Sequence, residues 1–502
     1  MIIDQSRDSH ASLRVRSVLP LALVGAWAVL YASTFTGLFH RWTQWDQDMS
    51  YGLPVVAIFI YLLAKTLPWQ SHPPSKSLFS LWAGATAVCS LLWFAFHIVG
   101  ISIFEQLMLL PLLVLALTCL FGVRTVFAHR MLLLLPIFVI PIWGSFNGVL
   151  LNISSLVVGE LVRLIGMPAR IEGNSIFIPY GHILIADGCS GLRYFVISLL
   201  LGYLVAYLNR YSEKGLVVVL AAAATIGLVA NWLRIFILIL IGYRTEMQSS
   251  LMTDHETFGW IVFAALCLPA LYFAPVVKAP AGKGAEDKAA LAEGSQDEAE
   301  TPNVSALSQP RLMLVLLALA VGPALSLAVD LKPVVRPFES HWDEASSARQ
   351  ATMPVPVTAP ARAHTEVALL SSGVRARIDQ YQRASEDDKL VPYFSYLYPQ
   401  NTWLREDRGR VAVQQNAANF SVFQRRNSHT FVAQLQWFEV GSHSATTVPW
   451  AKVLQIPAVI AGENHFAIIT LQATCGERSC EDSFPQLMAA AQDVMSERSP
   501  SQ

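Results

Sequence analysis

Charge is scarce in this chain of 502 residues: 35 Lys and Arg nearly cancel 36 Asp and Glu, and charged residues make up only 14% of the total. Such a balance offers no basic surface to a polyanion, and no nucleic-acid partner is expected. Cysteine is sparing too. The six present form no CxxC pair and no Cys/His spacing of the zinc type, so the sequence supplies no metal site and implies no cofactor. Phosphate loops and internal repeats are also missing. Apolar side chains fill the space instead, at 54% of the residues, and the chain reads as a multi-pass membrane protein.

Apolar runs lie near 17–36, 53–66, 78–99, 103–121, 131–150, 190–208, 216–241, 258–275 and 311–329. They predict an all-α bundle of about eight to nine transmembrane helices, the short run at 53–66 counting only if it tilts little. The first run exceeds a signal-peptide core and lacks a small-residue cleavage site, so it reads as a retained span. Short cytoplasmic loops carry excess Lys and Arg. Arg7, Arg14 and Arg16 place the N-terminus inside, and alternation puts Lys65, Lys76, Arg124, Arg130, Arg210 and Lys214 on the same side. The connections at 100–102 and 151–189 fall outside.

Composition divides the chain further. Residues 1–278 read as one transmembrane domain, 279–310 as a solvated cytoplasmic linker, 311–329 as an additional span and 330–365 as an extended linker. Residues 366–502 are read as a small periplasmic α+β domain, with strands expected around 410–413, 431–438 and 466–471 before a helical end. Trp437 and Phe438 are expected in its core.

The candidate chemistry starts at Asp187-Gly188-Cys189-Ser190-Gly191-Leu192-Arg193, a thiol in a glycine-flanked turn where an apolar helix begins. A helix N-terminus favours the thiolate, and nearby N–H groups suit an oxyanion. Cys89, Cys119 and Cys267 lie within apolar runs as small core residues, while Cys475 and Cys480 bracket a polar loop and form a possible disulfide. Arg234 lies inside a span, one helical turn from Asn231. Intramembrane arginines face a bundle interior or a wet cavity, the alternative being a side chain that snorkels to the headgroups. His255 opens the next span at the same outer face, as an acid/base or as a simple capping residue; Asp254 and Glu256 beside it receive no catalytic role.

These residues resemble the exosortases, membrane-embedded cysteine transpeptidases of Gram-negative bacteria related to the archaeosortases. The resemblance covers about 130–275 and rests on Cys189-Ser190-Gly191-Leu192-Arg193, on Asn231 through Arg234, and on His255 with Gly259. It implies Cys189 as nucleophile, Arg234 as catalytic arginine and His255 as acid/base, supported by Ser190, Gly191 and Asn231. The first outer loop, Trp42 through Pro54, also resembles the family's early segment, with Tyr51 standing where a histidine is common and Asp187 replacing the usual glutamate arrangement before the cysteine. Residues 366–502 resemble, more weakly, an exopolysaccharide-associated domain fused to some exosortases.

The resemblance further implies an enzyme of the bacterial inner membrane, with a periplasmic active site and C-terminal domain. Its partners are the lipid bilayer, membrane-anchored proteins ending in a Pro-Glu-Pro sorting signal, and exopolysaccharide-assembly proteins. A thioester acyl-enzyme is expected, resolved by water or by an amine. Two rivals remain open on the residues alone: a non-proteolytic component of exopolysaccharide polymerisation or export, and a transporter with Arg234 lining an anion path.

Overall fold

The computed structural model describes residues 18–44, 49–274, 309–330, 352–357, 364–382 and 398–496, apart from 68, 70, 71, 186, 253, 254, 371, 400, 401, 415, 427, 464 and 477–479. Arg7, Arg14 and Arg16, nearly all of the linkers at 279–310 and 330–365, the loop residues 45–48 and Asp254 lie outside the described residues. The chain divides into two compact units: Met1–Thr86 with Gln106–Leu319, and Ala87–Glu105 with Ala320–Gln502.

The helices follow the apolar runs. In chain order they are α1 (Val18–Leu30), α2 (Ala32–Thr43), α3 (Gly52–Lys65), α4 (Lys76–Val99), α5 (Ser102–Phe121), α6 (Val123–Ala128), α7 (Arg130–Leu134), α8 (Asn147–Leu164), α9 (Leu192–Leu208), α10 (Glu213–Arg244), α11 (His255–Tyr272) and α12 (Gln309–Asp330). Among the described residues, six apolar stretches are long enough to cross a bilayer: α4, α5, the stretch Pro141–Leu164, α10, α11 and α12. Counting the α1–α2 pair makes seven.

That is fewer than the eight to nine expected, for identifiable reasons. The first run does not continue straight; α1 and α2 meet at an 89° bend. The runs at 53–66 and 190–208 form α3 and α9, of 14 and 17 residues. The run at 131–150 is broken into 3₁₀ turns, Leu135–Val139 and Pro141–Phe146, because Pro136 and Pro141 remove ladder donors. Helix then resumes as α8 through residues expected in the outer connection, so that connection begins only after Leu164.

Contacts within the first unit sort its loops. Trp69 stacks on His129 at 4.3 Å, His72 N–H donates to Phe121 O at 3.0 Å, and Tyr203 Oη donates to Met131 O at 2.6 Å. Arg130 pairs with Glu213, and Arg311 Nη1 reaches Pro74 O at 3.4 Å. The loops rich in Lys and Arg therefore meet at one end of the bundle. Helix α9 runs from Cys189 toward that end, α10 returns from it, and α11 starts at the cysteine end.

Small residues draw α9 and α10 together. A Cβ at Gly202 would lie 2.8 Å from the Ala223 Cβ, and one at Gly227 would lie 2.5 Å from Ser198 Oγ and 2.8 Å from Tyr194 O. Helix–helix association in lipid rests on such close approach. The segment between α8 and α9 folds as a three-stranded antiparallel meander, β1 (Arg170–Glu172), β2 (Ser175–Ile178) and β3 (Gly181–Leu184). Ile176, Ile178 and Ile185 bury against Val158 and Val162 of α8 and Ile235 and Ile239 of α10. This packing delivers the chain to the Cys189 turn.

The second unit carries an antiparallel sheet of seven strands in the order β4-β5-β10-β8-β7-β6, with β9 paired to β8. The strands are β4 (His364–Leu369), β5 (Arg375–Gln382), β6 (Trp403–Val413), β7 (Asn416–Arg425), β8 (Phe431–Val440), β9 (His443–Ala445) and β10 (His465–Cys475). Helices α13 (Val448–Ala461) and α14 (Phe484–Ser496) complete it. Trp437, opposite Ile469 in register, is 0% exposed and packs in a core with Leu435, Ile378, Leu487 and Ala491. Phe438 is buried as well, so both residues serve packing. Edge strand β6 exposes Arg405, Asp407, Arg408 and Arg410, charges that discourage edge pairing. Cys475 and Cys480 are joined in a disulfide.

Candidate active site

Cys189 ends a 3₁₀ turn, Asp187–Cys189, one residue before the chain reverses into α9. The reversal needs Gly191, whose φ of +87° lies in the left-handed region and whose hydrogen faces Asn231; a Cβ there would meet Asn231 Cγ at 2.6 Å. Asn231 is fully buried and its Nδ2 donates to Cys189 O at 3.0 Å and to Ser154 Oγ at 3.2 Å. Ser154 Oγ in turn donates to Ser190 O at 3.3 Å, and Ser190 Oγ accepts from Leu192 N–H at 3.3 Å, capping α9. Polar groups from α8 and α10 thus hold the turn through its backbone. The thiol itself is half-buried, and among the described residues nothing hydrogen-bonds to its Sγ.

Arg234 is only 3% exposed. Its Nε donates to His255 O at 3.3 Å and its guanidinium carbon lies 5.6 Å from the centre of the Tyr194 ring. No carboxylate pairs with it among the described residues, which leaves a buried cation whose remaining donors suit an anion. Gly259 makes room for it: a Cβ there would lie 2.1 Å from Tyr194 Oη and 2.6 Å from Arg234 Nε. Tyr194, Trp260 and Phe263 form an aromatic wall with centroids 5.3 to 6.0 Å apart.

Cys189, Arg234 and His255 line one cavity of about 240 Å³, together with the turn from Gly188 to Tyr194, Glu256 and Trp260. Residues separated by 66 positions in sequence are brought to a single opening, with a helix N-terminus on one side and a buried guanidinium on another. A thiol, a cation and an imidazole so arranged have the parts of an acyl-transfer site. Among the described residues no three His, Cys, Asp or Glu side chains converge on a metal position.

Residues 42–272 match the model of the transmembrane exosortase family. This part of the chain is an exosortase domain. No curated protein and no solved structure shows a significant match. The chain is a multi-pass membrane protein whose residues 42–272 match the transmembrane exosortase family, and the match leaves its C-terminal sheet domain unassigned.

Within the exosortase domain, the structure adds residues that the sequence did not single out. Ser154 ties both Asn231 and the Ser190 carbonyl, Tyr194 faces Arg234, and Arg193 pairs with Glu256 across the mouth of the cavity. Glu256 therefore has a partner in the turn rather than on the His255 ring. At the start of the matched segment, Trp42 Nε1 donates to Val139 O at 3.1 Å and its indole covers Gly52, where a Cβ would come within 2.2 Å. Tyr51, in place of the common histidine, directs its hydroxyl to Met49 Sδ at 3.7 Å and does not line the Cys189 cavity.

Proposed function

We propose that the protein is a membrane-embedded cysteine peptidase or transpeptidase that cleaves C-terminal sorting signals of exported, membrane-anchored proteins. The supporting observation is the single cavity shared by Cys189, Arg234 and His255. In this reading the Cys189 thiolate attacks the scissile carbonyl carbon, and the carbonyl π electrons move to oxygen. Arg234 stabilises that oxyanion, with the first turn of α9 adding its positive end. His255 gives a proton to the leaving amine as the C–N bond breaks, releasing the C-terminal tail and leaving a thioester. Water or an acceptor amine, deprotonated by His255, then attacks the thioester and regenerates the thiol. Asn231, Ser190 and Gly191 position the turn.

The same proposal places residues 1–278 as the catalytic membrane domain, 279–310 in the cytoplasm, 311–329 as a further span and 366–502 in the periplasm of an inner-membrane protein, linked to surface-protein sorting and exopolysaccharide production. Clustering of the basic loops at the bundle end opposite Cys189 supports this orientation, since short cytoplasmic loops carry the positive excess.

The test is cleavage of a tagged sorting-signal substrate in membranes holding equal amounts of each variant. Cys189→Ala is expected to lower the rate by at least about three orders of magnitude, and Arg234→Ala and His255→Ala by about two or more. A thioester trapped by hydroxylamine as the hydroxamate should form with the native chain and not with Cys189→Ala. Processing that persists in Cys189→Ala would remove the nucleophile and favour a non-proteolytic role in exopolysaccharide assembly.

A further inference from the structure

Helix α13 exposes a wholly apolar face and buries two long polar side chains. In a water-facing domain the buried side of a surface helix is apolar and the exposed side polar. Here the buried side carries, besides Ala451, Ala458 and Val459, the polar Lys452, 4% exposed, and Gln455, 0% exposed, whose amide Oε1 and Nε2 find no partner among the described residues. The exposed side consists of Pro449, Trp450, Val453, Pro457, Ile460 and Ala461, with no polar side chain among them. Trp450 is 56% exposed and Val453 50%. Water on that face gains nothing from such an arrangement, and burying the Lys and Gln costs free energy.

The place of the helix resolves the paradox. Lys452 Nζ donates to Val99 O at 2.7 Å, and Val99 is the last residue of the spanning helix α4. One turn beyond, Ile103 and Phe104 at the start of α5 are exposed as well, as expected of a helix start wetted by lipid. The α4 carbonyl that α13 satisfies therefore lies where a bilayer ends, and the lysine stem reaches it from the domain side. Helix α12, which leads into this domain, runs parallel to α4: Gly322 N–H donates to Ser90 Oγ at 2.8 Å, and the remaining eight residues of α12 carry the chain toward the same end.

We propose that the exposed face of α13 is a membrane-interface surface, lying in the headgroup and upper acyl region of the leaflet reached by the C-terminal end of α4. Its occupant is phospholipid. Trp450 takes the position that tryptophan favours at such boundaries, while Val453 and Ile460 enter the acyl layer. The C-terminal domain is thereby seated on the bilayer by a surface contact as well as tethered through α12. This inference does not depend on the peptidase reading.

The experiment uses the full-length chain in vesicles of phosphatidylethanolamine and phosphatidylglycerol carrying a trace phospholipid with a diazirine on its upper acyl chain. After photolysis, adducts are mapped by mass spectrometry. Adducts on Trp450, Val453 or Ile460 at a density comparable to that on the lipid-facing Leu91 and Leu92 of α4, with none on the charged edge strand β6, are the expected result. Labelling of α4 without labelling of 449–461, or equal labelling of β6, would overturn the proposal. In Val453→Glu with Ile460→Glu, adducts on α13 should be lost while those on α4 persist; their retention would equally overturn it.

Discussion

Asp379 in the sheet domain and Asn231 in the membrane domain are buried to the same degree, 1% and 0% exposed, yet they are used differently. The Asp379 carboxylate accepts from Thr365 Oγ1 at 2.6 Å and from Arg377 Nε and Nη2 at about 2.9 Å, and Gln472 spans Val355 N–H, Val355 O and Gln434 Oε1. The Thr365 and Gln472 bonds knit strand to strand or strand to an adjoining segment, and the Arg377 bonds neutralise the carboxylate within its own strand. Among the described residues, Asn231 and Ser154 instead bind only the backbone of one turn and each other. What they hold in place, Cys189, opens on a cavity with a buried cation beside it. Burial of polar groups is thus no mark of a site; a network that satisfies a backbone while leaving reactive atoms exposed is.

The comparison breaks most visibly if Asp379 is truncated. Asp379→Ala strands Arg377 and removes three bonds from a nearly dry pair, so a cost of about 3–5 kcal/mol is expected, read from urea unfolding or proteolysis of the C-terminal domain. A change under about 1 kcal/mol would mean that this pair does not hold the sheet. In the membrane domain the corresponding stress is Gly259→Ala. The added methyl must displace Tyr194 or Arg234, and a misplaced guanidinium should slow substrate cleavage about 100-fold with maleimide labelling of Cys189 retained. A native rate in that variant would show that Arg234 need not sit where it does.

Much of the candidate site was legible in the sequence, because the residues proposed for it sit at places where a polar side chain is anomalous: a thiol at a helix start, a charge within a span, a histidine at a membrane face. Ser154 was not. It lies in Asn152-Ile153-Ser154-Ser155, a stretch polar enough to resemble a loop, and its two partners stand 36 and 77 residues away. No local spacing encodes that contact. The meander of β1 to β3 was hidden for a related reason, its strands of three and four residues being too short for alternation to register. Nor did hydropathy reveal the breaks at Tyr31 and between Pro136 and Pro141, since apolarity measures length of run and not its straightness. In the sheet domain, by contrast, the strands around 411, 435 and 468 announced themselves through β-branched and aromatic residues, and β8 and β10 lie side by side in register.

A milder probe of the same contrast is Ser154→Ala. It removes a donor from Ser190 O and an acceptor from Asn231, at about 1 kcal/mol, which is roughly fivefold in rate if the lost bonds orient the thiol. Hydroxylamine trapping and cleavage should fall together. Loss of stability with an unchanged rate would make Ser154 a packing residue only.

The smallest effect expected concerns Tyr381 in β5, buried and with its hydroxyl unpartnered among the described residues. Burial pushes this phenol well above its ordinary range, the Asp379 carboxylate pushing the same way and the Arg377 guanidinium opposing them. The sign follows from which state ionises first. An unfolded tyrosine loses its proton near pH 10, whereas the folded one keeps it, so its contribution to stability is intact below about pH 10 and falls by at most about 1.4 kcal/mol per unit above it. Tyr381→Phe should flatten that alkaline slope. At pH 7 it should leave the domain as stable or up to about 1 kcal/mol more so, because an unpaired buried hydroxyl is removed. An unchanged slope, measured by unfolding at pH 9 to 11, would mean that the phenol finds a partner or water; Tyr381 would then belong with the satisfied polar groups of the sheet, beside Asp379 and Gln472.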